Sequence, residues 1–160
     1  MKAIKYLVMG ALLTGFSAAV NAQEVELNAA LDGIKAKDPN VAKLANTAYK
    51  KNKKNPESLL KIAQAFYAQK DTANARKYAN LSNEAGKPKY QFAPAYLLLG
   101  DIEASYGTDG GKAASYYNQA ITFNPKNPEG YKKWAMVYRK ISPTQAAKKL
   151  EEMKVQCPDE

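Results

Sequence analysis

Apolar side chains recur along this chain at spacings of three and four residues, and from Ala22 onward no run alternates in the manner of a strand. That period gathers them on one face of a helix, so the chain reads as all-α. Leu27, Ala30, Leu31 and Ile34 make a first stripe and Val41, Leu44, Ala45 and Tyr49 a second, with Asp38-Pro39-Asn40 as the break between them. Leu59, Ile62, Ala63 and Phe66 form a third, followed by Ala75, Ala79 and Ser82. The same spacing continues through Tyr96, Leu99 and Gly100, then Ala113, Tyr117 and Ala120. It closes with Tyr131, Trp134, Ala135 and Tyr138, then Ala146, Leu150 and Met153.

The punctuation repeats as well. Asn55-Pro56-Glu57 and Asn127-Pro128-Glu129 are the same tripeptide, 72 residues apart, or two units of 36. Each is a helix-start signal: asparagine caps free amides, proline fits the first turn, and glutamate suits the positive end of the dipole. A third copy therefore belongs between them. Ala63, Gly100 and Ala135 in the first helix of each unit, and Ala75, Ala113 and Ala146 in the second, let the paired helices approach closely. Large neighbours fill the adjoining gaps.

Together these positions resemble the tetratricopeptide repeat, a helix-turn-helix unit of about 34 residues with small residues at fixed places and a closing proline. Pro88, Pro125 and Pro158 stand at the ends of the three copies. Glu103 departs from the pattern, occupying a position where the repeat has an aromatic. The turns vary too, Thr108-Asp109-Gly110-Gly111 being longer and Ser142-Pro143-Thr144 shorter. The resemblance spans Asn55 to Pro158 and implies a right-handed superhelical solenoid of antiparallel helix pairs. The organisation expected is a signal peptide (1–22), an N-terminal helical pair acting as a cap or worn repeat (23–54), and repeats at 55–89, 90–126 and 127–160. The finish at Cys157-Pro158-Asp159-Glu160, where a further repeat would begin, is read as the edge of a fragment.

The resemblance also implies a concave face lined by first helices. Its groove-facing positions fall on Lys61, Gln64 and Tyr67 in the first copy and on Leu97, Asp101 and Ser105 in the second. In the third they are Lys132, Lys133, Met136 and Arg139. The basic residues there suit an acidic protein or peptide. A lysine and asparagine clamp for a peptide carboxylate is not supported, since the matching first-copy positions are Leu60 and Gln64.

Composition narrows the function. The chain has no histidine and one cysteine, Cys157, which removes the commonest general base, the nucleophile–histidine dyads and most zinc sites. No internal disulfide can form, though one cysteine can pair between chains. Asp109-Gly110-Gly111-Lys112 lacks the phosphate-loop pattern. No catalytic residue, cofactor or metal is expected, nor a small-molecule substrate. The formal charge is +9.

Met1 to Ala22 has the three parts of a secretory signal: Lys2 and Lys5, an apolar run from Tyr6 to Phe16, and Val20-Asn21-Ala22 as the cleavage site. Cleavage would leave Gln23 first and 22 basic against 15 acidic residues. Export makes nucleic acid a poor partner for that charge and favours an acidic protein or peripheral contact with a membrane. Lys50-Lys51-Asn52-Lys53-Lys54 is read as a solvated linker. The expected product is a non-catalytic protein–protein interaction scaffold of a Gram-negative bacterium, in the periplasm, on the periplasmic face of the outer membrane, or secreted. The alternative is the N-terminal repeat module of a longer envelope enzyme or an assembly or secretion machine.

Overall fold

The computed structural model describes residues 21–86, 92–108 and 110–159. Every regular element among them is a helix. Two compact units make up the chain, Met1–Asn52 and Lys53–Glu160. No helix among the described residues is long and apolar enough to cross a membrane.

The first unit contains α1, helical through residues 21–36, and α2, Val41–Asn52. The break expected at Asp38-Pro39-Asn40 is a turn in which Asp38 accepts a hydrogen bond from the Asn40 amide at 2.6 Å. Lys37 just before it adopts a positive φ of 55°. Leu27, Ala30, Ile34, Ala45 and Ala48 are buried between the two stripes. At the far end Asn52 donates to the carbonyls of Ala48 and Gln23, and Gln23 donates to the carbonyl of Lys51. The start of α1 is thus tied to the end of α2, which makes the pair antiparallel. Asn52 is buried for this purpose, while Lys50, Lys51, Lys53 and Lys54 around it are exposed.

The second unit holds α3 (Pro56–Ala68), α4 (Thr72–Ala85), α5 (Ala93–Tyr106), α6 (Gly110–Phe123), α7 (Pro128–Tyr138) and α8 (Pro143–Gln156). Both Asn-Pro-Glu signals are helix starts: Asn55 accepts from the Ser58 amide at 3.1 Å and Asn127 from the Glu129 amide at 3.0 Å. Asp71 caps α4 in the same way, accepting from Asn74 at 3.0 Å. The helices pack as α3–α4, α5–α6 and α7–α8, and each later first helix also lies across the pair before it. Hence α5 touches both α3 and α4, and α7 touches both α5 and α6.

Small residues permit this packing. Ala63, Ala75, Ala113, Ala135 and Ala146 are all buried, as is Gly100. A methyl group on Gly100 would stand 2.8 Å from Cζ of Tyr117, so the ring of α6 lies directly on the backbone of α5. Gly130 allows α7 to start against Ile121, whose Cγ1 would be 2.8 Å from an added Cβ. Stacked rings join the two helices within a pair, Phe66 of α3 on Tyr78 of α4 at 5.6 Å and Tyr96 of α5 on Phe123 of α6 at 5.8 Å between centroids. Each such contact contributes about 1 kcal/mol beyond area burial. At the last pair, Tyr131, Trp134, Met153 and Cys157 share a core with Tyr117 and Ile121. The Cys157 thiol is a free, buried thiol that faces the Pro125 carbonyl at 3.6 Å.

Glu103 replaces the expected aromatic with a different bond. Its carboxylate is buried, with Oε1 held by Arg76 of α4 and, at 3.1 Å, by Lys112 of α6. Two cations from the flanking second helices compensate the carboxylate that the core takes in.

Candidate functional site

Side chains on the outward rows of α3, α5 and α7 meet in a polar strip. Tyr67 shares a hydrogen bond with Ser105 at 3.0 Å and donates to the Asp101 carbonyl at 3.4 Å. Asp101 lies at the centre: Oδ1 accepts from the Tyr117 hydroxyl at 2.9 Å, and Lys133 donates to both carboxylate oxygens at 2.8 and 3.1 Å. Burial, and then the carboxylate of Asp101, push the Tyr117 phenol well above its usual range. Around this core Lys61, Gln64 and Ser105 are exposed and Leu97 is half-buried. Tyr106 is exposed and sets its ring at right angles to Tyr67, 6.2 Å away. The strip offers a partner donors, acceptors and two aromatic edges on rigid helices.

Three of the ten residues expected on one face go elsewhere. Lys132, Met136 and Arg139 line a groove between α7 and α8, together with Ala135, Pro143, Ala146, Ala147 and Leu150. Its volume is about 360 Å³. Lys133 points instead to Asp101, because neighbouring helix positions lie roughly 100° apart. The floor of the groove is apolar, and Met136 is 58% exposed in it. The α8 half lies outside the first-helix positions to which the sequence assigns a binding role. Ala146-Ala147 with Leu150 four residues after the first is the signal that marks it.

The register explains why this face is open. Leu60 on α3 and Leu97 on α5 correspond to Lys132 on α7. On the inner pairs that side is covered by the next first helix, α5 in one case and α7 in the other. Among the described residues no helix lies over α7–α8 in the same way.

No protein-family model matches this chain, and no curated protein sequence matches it. Solved structures do. A MamA crystal structure superposes with a TM-score of 0.67 at 19% identity, over 89% of this chain and 82% of that one. The pilF protein of Pseudomonas aeruginosa gives 0.61 at 15% identity, over 96% and 72% of the two chains. Cut9, from the APC/C hetero-tetramer Cut9–Hcn1, gives 0.62 at 16% identity, over 97% of this chain but 32% of its own. The fold of this chain is that of a tetratricopeptide-type solenoid of antiparallel helix pairs.

Proposed function

We propose that this chain is an exported, non-catalytic scaffold of a bacterial cell envelope that holds a protein or peptide on the first-helix face of its repeats. Solenoids of this type are in general protein-interaction scaffolds, because stacked repeats present a long, continuous surface. The observation that carries the finer reading is the polar strip. Tyr67, Asp101 and Lys133, from three successive first helices, are locked to one another, while Lys61, Gln64, Ser105 and Tyr106 beside them stay exposed. A rigid row with accessible polar edges suits recognition, since little side-chain entropy is lost when a partner docks. The basic charge of the chain favours an acidic partner. The chain also lacks histidine, which supports a binding role over acid–base chemistry. The envelope location rests on the signal-like segment 1–22, most of which lies outside the described residues.

Affinity capture from the envelope of the source organism tests the reading. Lys61→Glu with Gln64→Arg alters exposed positions only and should leave the helical circular dichroism intact while abolishing capture of the partner. Undiminished capture by that variant would remove the first-helix face as the site. Fractionation with N-terminal sequencing checks export, for which a mature start at Gln23 is expected.

A further inference from the structure

The lysines of the run Lys50-Lys51-Asn52-Lys53-Lys54 form a polybasic patch, and we infer that its ligand is the surface of an anionic phospholipid bilayer. The inference adds a site to the scaffold reading and shares with it only the envelope location.

The patch is built around one buried side chain. Asn52 is 3% exposed, and its amide donates to the carbonyls of Ala48 at 3.0 Å and Gln23 at 3.2 Å. With Asn52 turned inward, Lys50, Lys51, Lys53 and Lys54 on either side of it are all exposed. The run is therefore solvated, as its sequence suggests, and also held in place. Among the described residues none of the four lysines has an ion-pair partner, although Glu24 and Glu26 follow Gln23 on α1. Between Asp38 and Glu57 the chain has five lysines and no carboxylate.

Local stability accounts for half of the run only. Lys50 and Lys51 lie in the last turn of α2, where cations suit the negative end of the helix. Lys53 and Lys54 stand just before the Asn55 cap of α3, beside the positive end of the next helix, where cations are disfavoured. A ligand is the remaining reason to gather four charges there. The run has no arginine and no apolar side chain. Protein interfaces favour arginine and aromatic residues and are poor in lysine. Lysine is a hydrated point charge that demands no fixed geometry, which suits a fluid field of headgroups. Position agrees. Gln23 donates to the Lys51 carbonyl at 3.0 Å, so the start of α1 is tied to the patch. The signal-like segment ends one residue earlier, and cleavage there would add an α-ammonium group beside Lys51.

Sedimentation of the exported chain with vesicles reads the binding. Vesicles of equal parts phosphatidylglycerol and phosphatidylcholine should bind it at least about a hundredfold more tightly than phosphatidylcholine alone, given about 1 kcal/mol per lysine at an anionic surface. Lys50→Gln, Lys51→Gln, Lys53→Gln and Lys54→Gln together should remove about that factor, and Lys53→Gln alone about fivefold. A second fourfold variant, Lys70→Gln, Lys126→Gln, Lys140→Gln and Lys148→Gln, makes the same change in net charge at exposed positions elsewhere. It should cost no more than about fivefold, because charges beyond a Debye length are screened. Equal loss in the two fourfold variants, or no loss in Lys53→Gln, would overturn the patch. Equal binding to neutral vesicles would overturn it too, by assigning attachment to apolar contacts. Binding of soluble dextran sulfate that outcompetes the vesicles at matched charge would make a glycan the ligand and overturn the lipid. Lys61→Glu with Gln64→Arg should leave vesicle binding unchanged, and the patch variant should leave envelope capture of the partner intact, so the two readings fail separately.

Discussion

Lys133 on α7 reaches back to α5 and holds both carboxylate oxygens of Asp101, at 2.8 and 3.1 Å, while Tyr117 of α6 donates to one of them at 2.9 Å. One carboxylate thereby joins two successive helix pairs. Asp101 and Lys133 are 27% and 28% exposed, so solvent weakens their attraction without abolishing it.

Replacing Asp101 separates the two parts of that link. Asp101→Asn keeps an acceptor for Tyr117 but loses the ion pair, and should cost about 1 kcal/mol. Asp101→Ala also leaves the Tyr117 hydroxyl without its acceptor, and should cost roughly 1–3 kcal/mol more. Urea unfolding of the two variants reads the difference. Identical midpoints would mean that the tyrosine bond adds nothing to stability.

Gly100 is the tightest point of the α5–α6 contact. Gly100→Ala brings a methyl group against the buried ring of Tyr117, which its own bond to Asp101 holds in place. The loss should be about 1–3 kcal/mol, with a lower thermal midpoint, as overpacking predicts. The gain in helix propensity from alanine, about 1 kcal/mol, works the other way and sets the lower end of the range. A thermal midpoint at or above that of the parent would show that the ring can move aside.

The Glu103 cluster makes a prediction with two signs. Arg76→Met leaves a buried carboxylate with Lys112 alone and should destabilise by about 2 kcal/mol, moderated because Arg76 is 35% exposed. Adding Glu103→Phe removes the charge and restores the aromatic of the repeat pattern. The double variant should regain the parent's stability or exceed it. A double variant less stable than the single one would show that the site cannot accept the ring.

Alkaline titration tests Tyr117. Its folded-state value is raised above the usual 10.0 by burial first and by Asp101 second, so the folded chain holds the phenolic proton more tightly than the unfolded chain does. The associated stability is present below pH 10 and declines as pH climbs above it, because the unfolded state then releases the proton. Tyr117→Phe should flatten this alkaline decline, read by denaturant midpoints at stepped pH. An unaltered slope would place the titration on other groups.

The helices were legible because a spacing of three and four residues recurs so regularly that small residues identify the contacts. Ala63, Gly100 and Ala135 are buried where the spacing puts them, and Asn55 and Asn127 cap the helices they announce. Tyr138 and Leu150 are only half-buried, and Leu150 lines the α7–α8 groove, over which no described helix lies. What the spacing concealed were bonds made across the repeats. Glu103 looks like a defect until Arg76 and Lys112 arrive from helices on either side. Likewise Lys132 and Lys133 look like one basic cluster, yet one residue step on a helix sends them to different surfaces. Pro88 and residues 1–20 of the expected signal lie outside the described residues.

Trp134 is the chain's single tryptophan, and it is buried in the last helix pair with Tyr138 stacked 4.3 Å away and the Lys149 ammonium 5.4 Å above its ring. Its emission is therefore an intrinsic optical gauge of the α7–α8 pair. Selective excitation of the indole would report the loosening of α7 against α8 without any label, while the many tyrosines report the whole chain. Comparing the two signals during unfolding would reveal whether the α7–α8 pair melts together with the other helices or ahead of them.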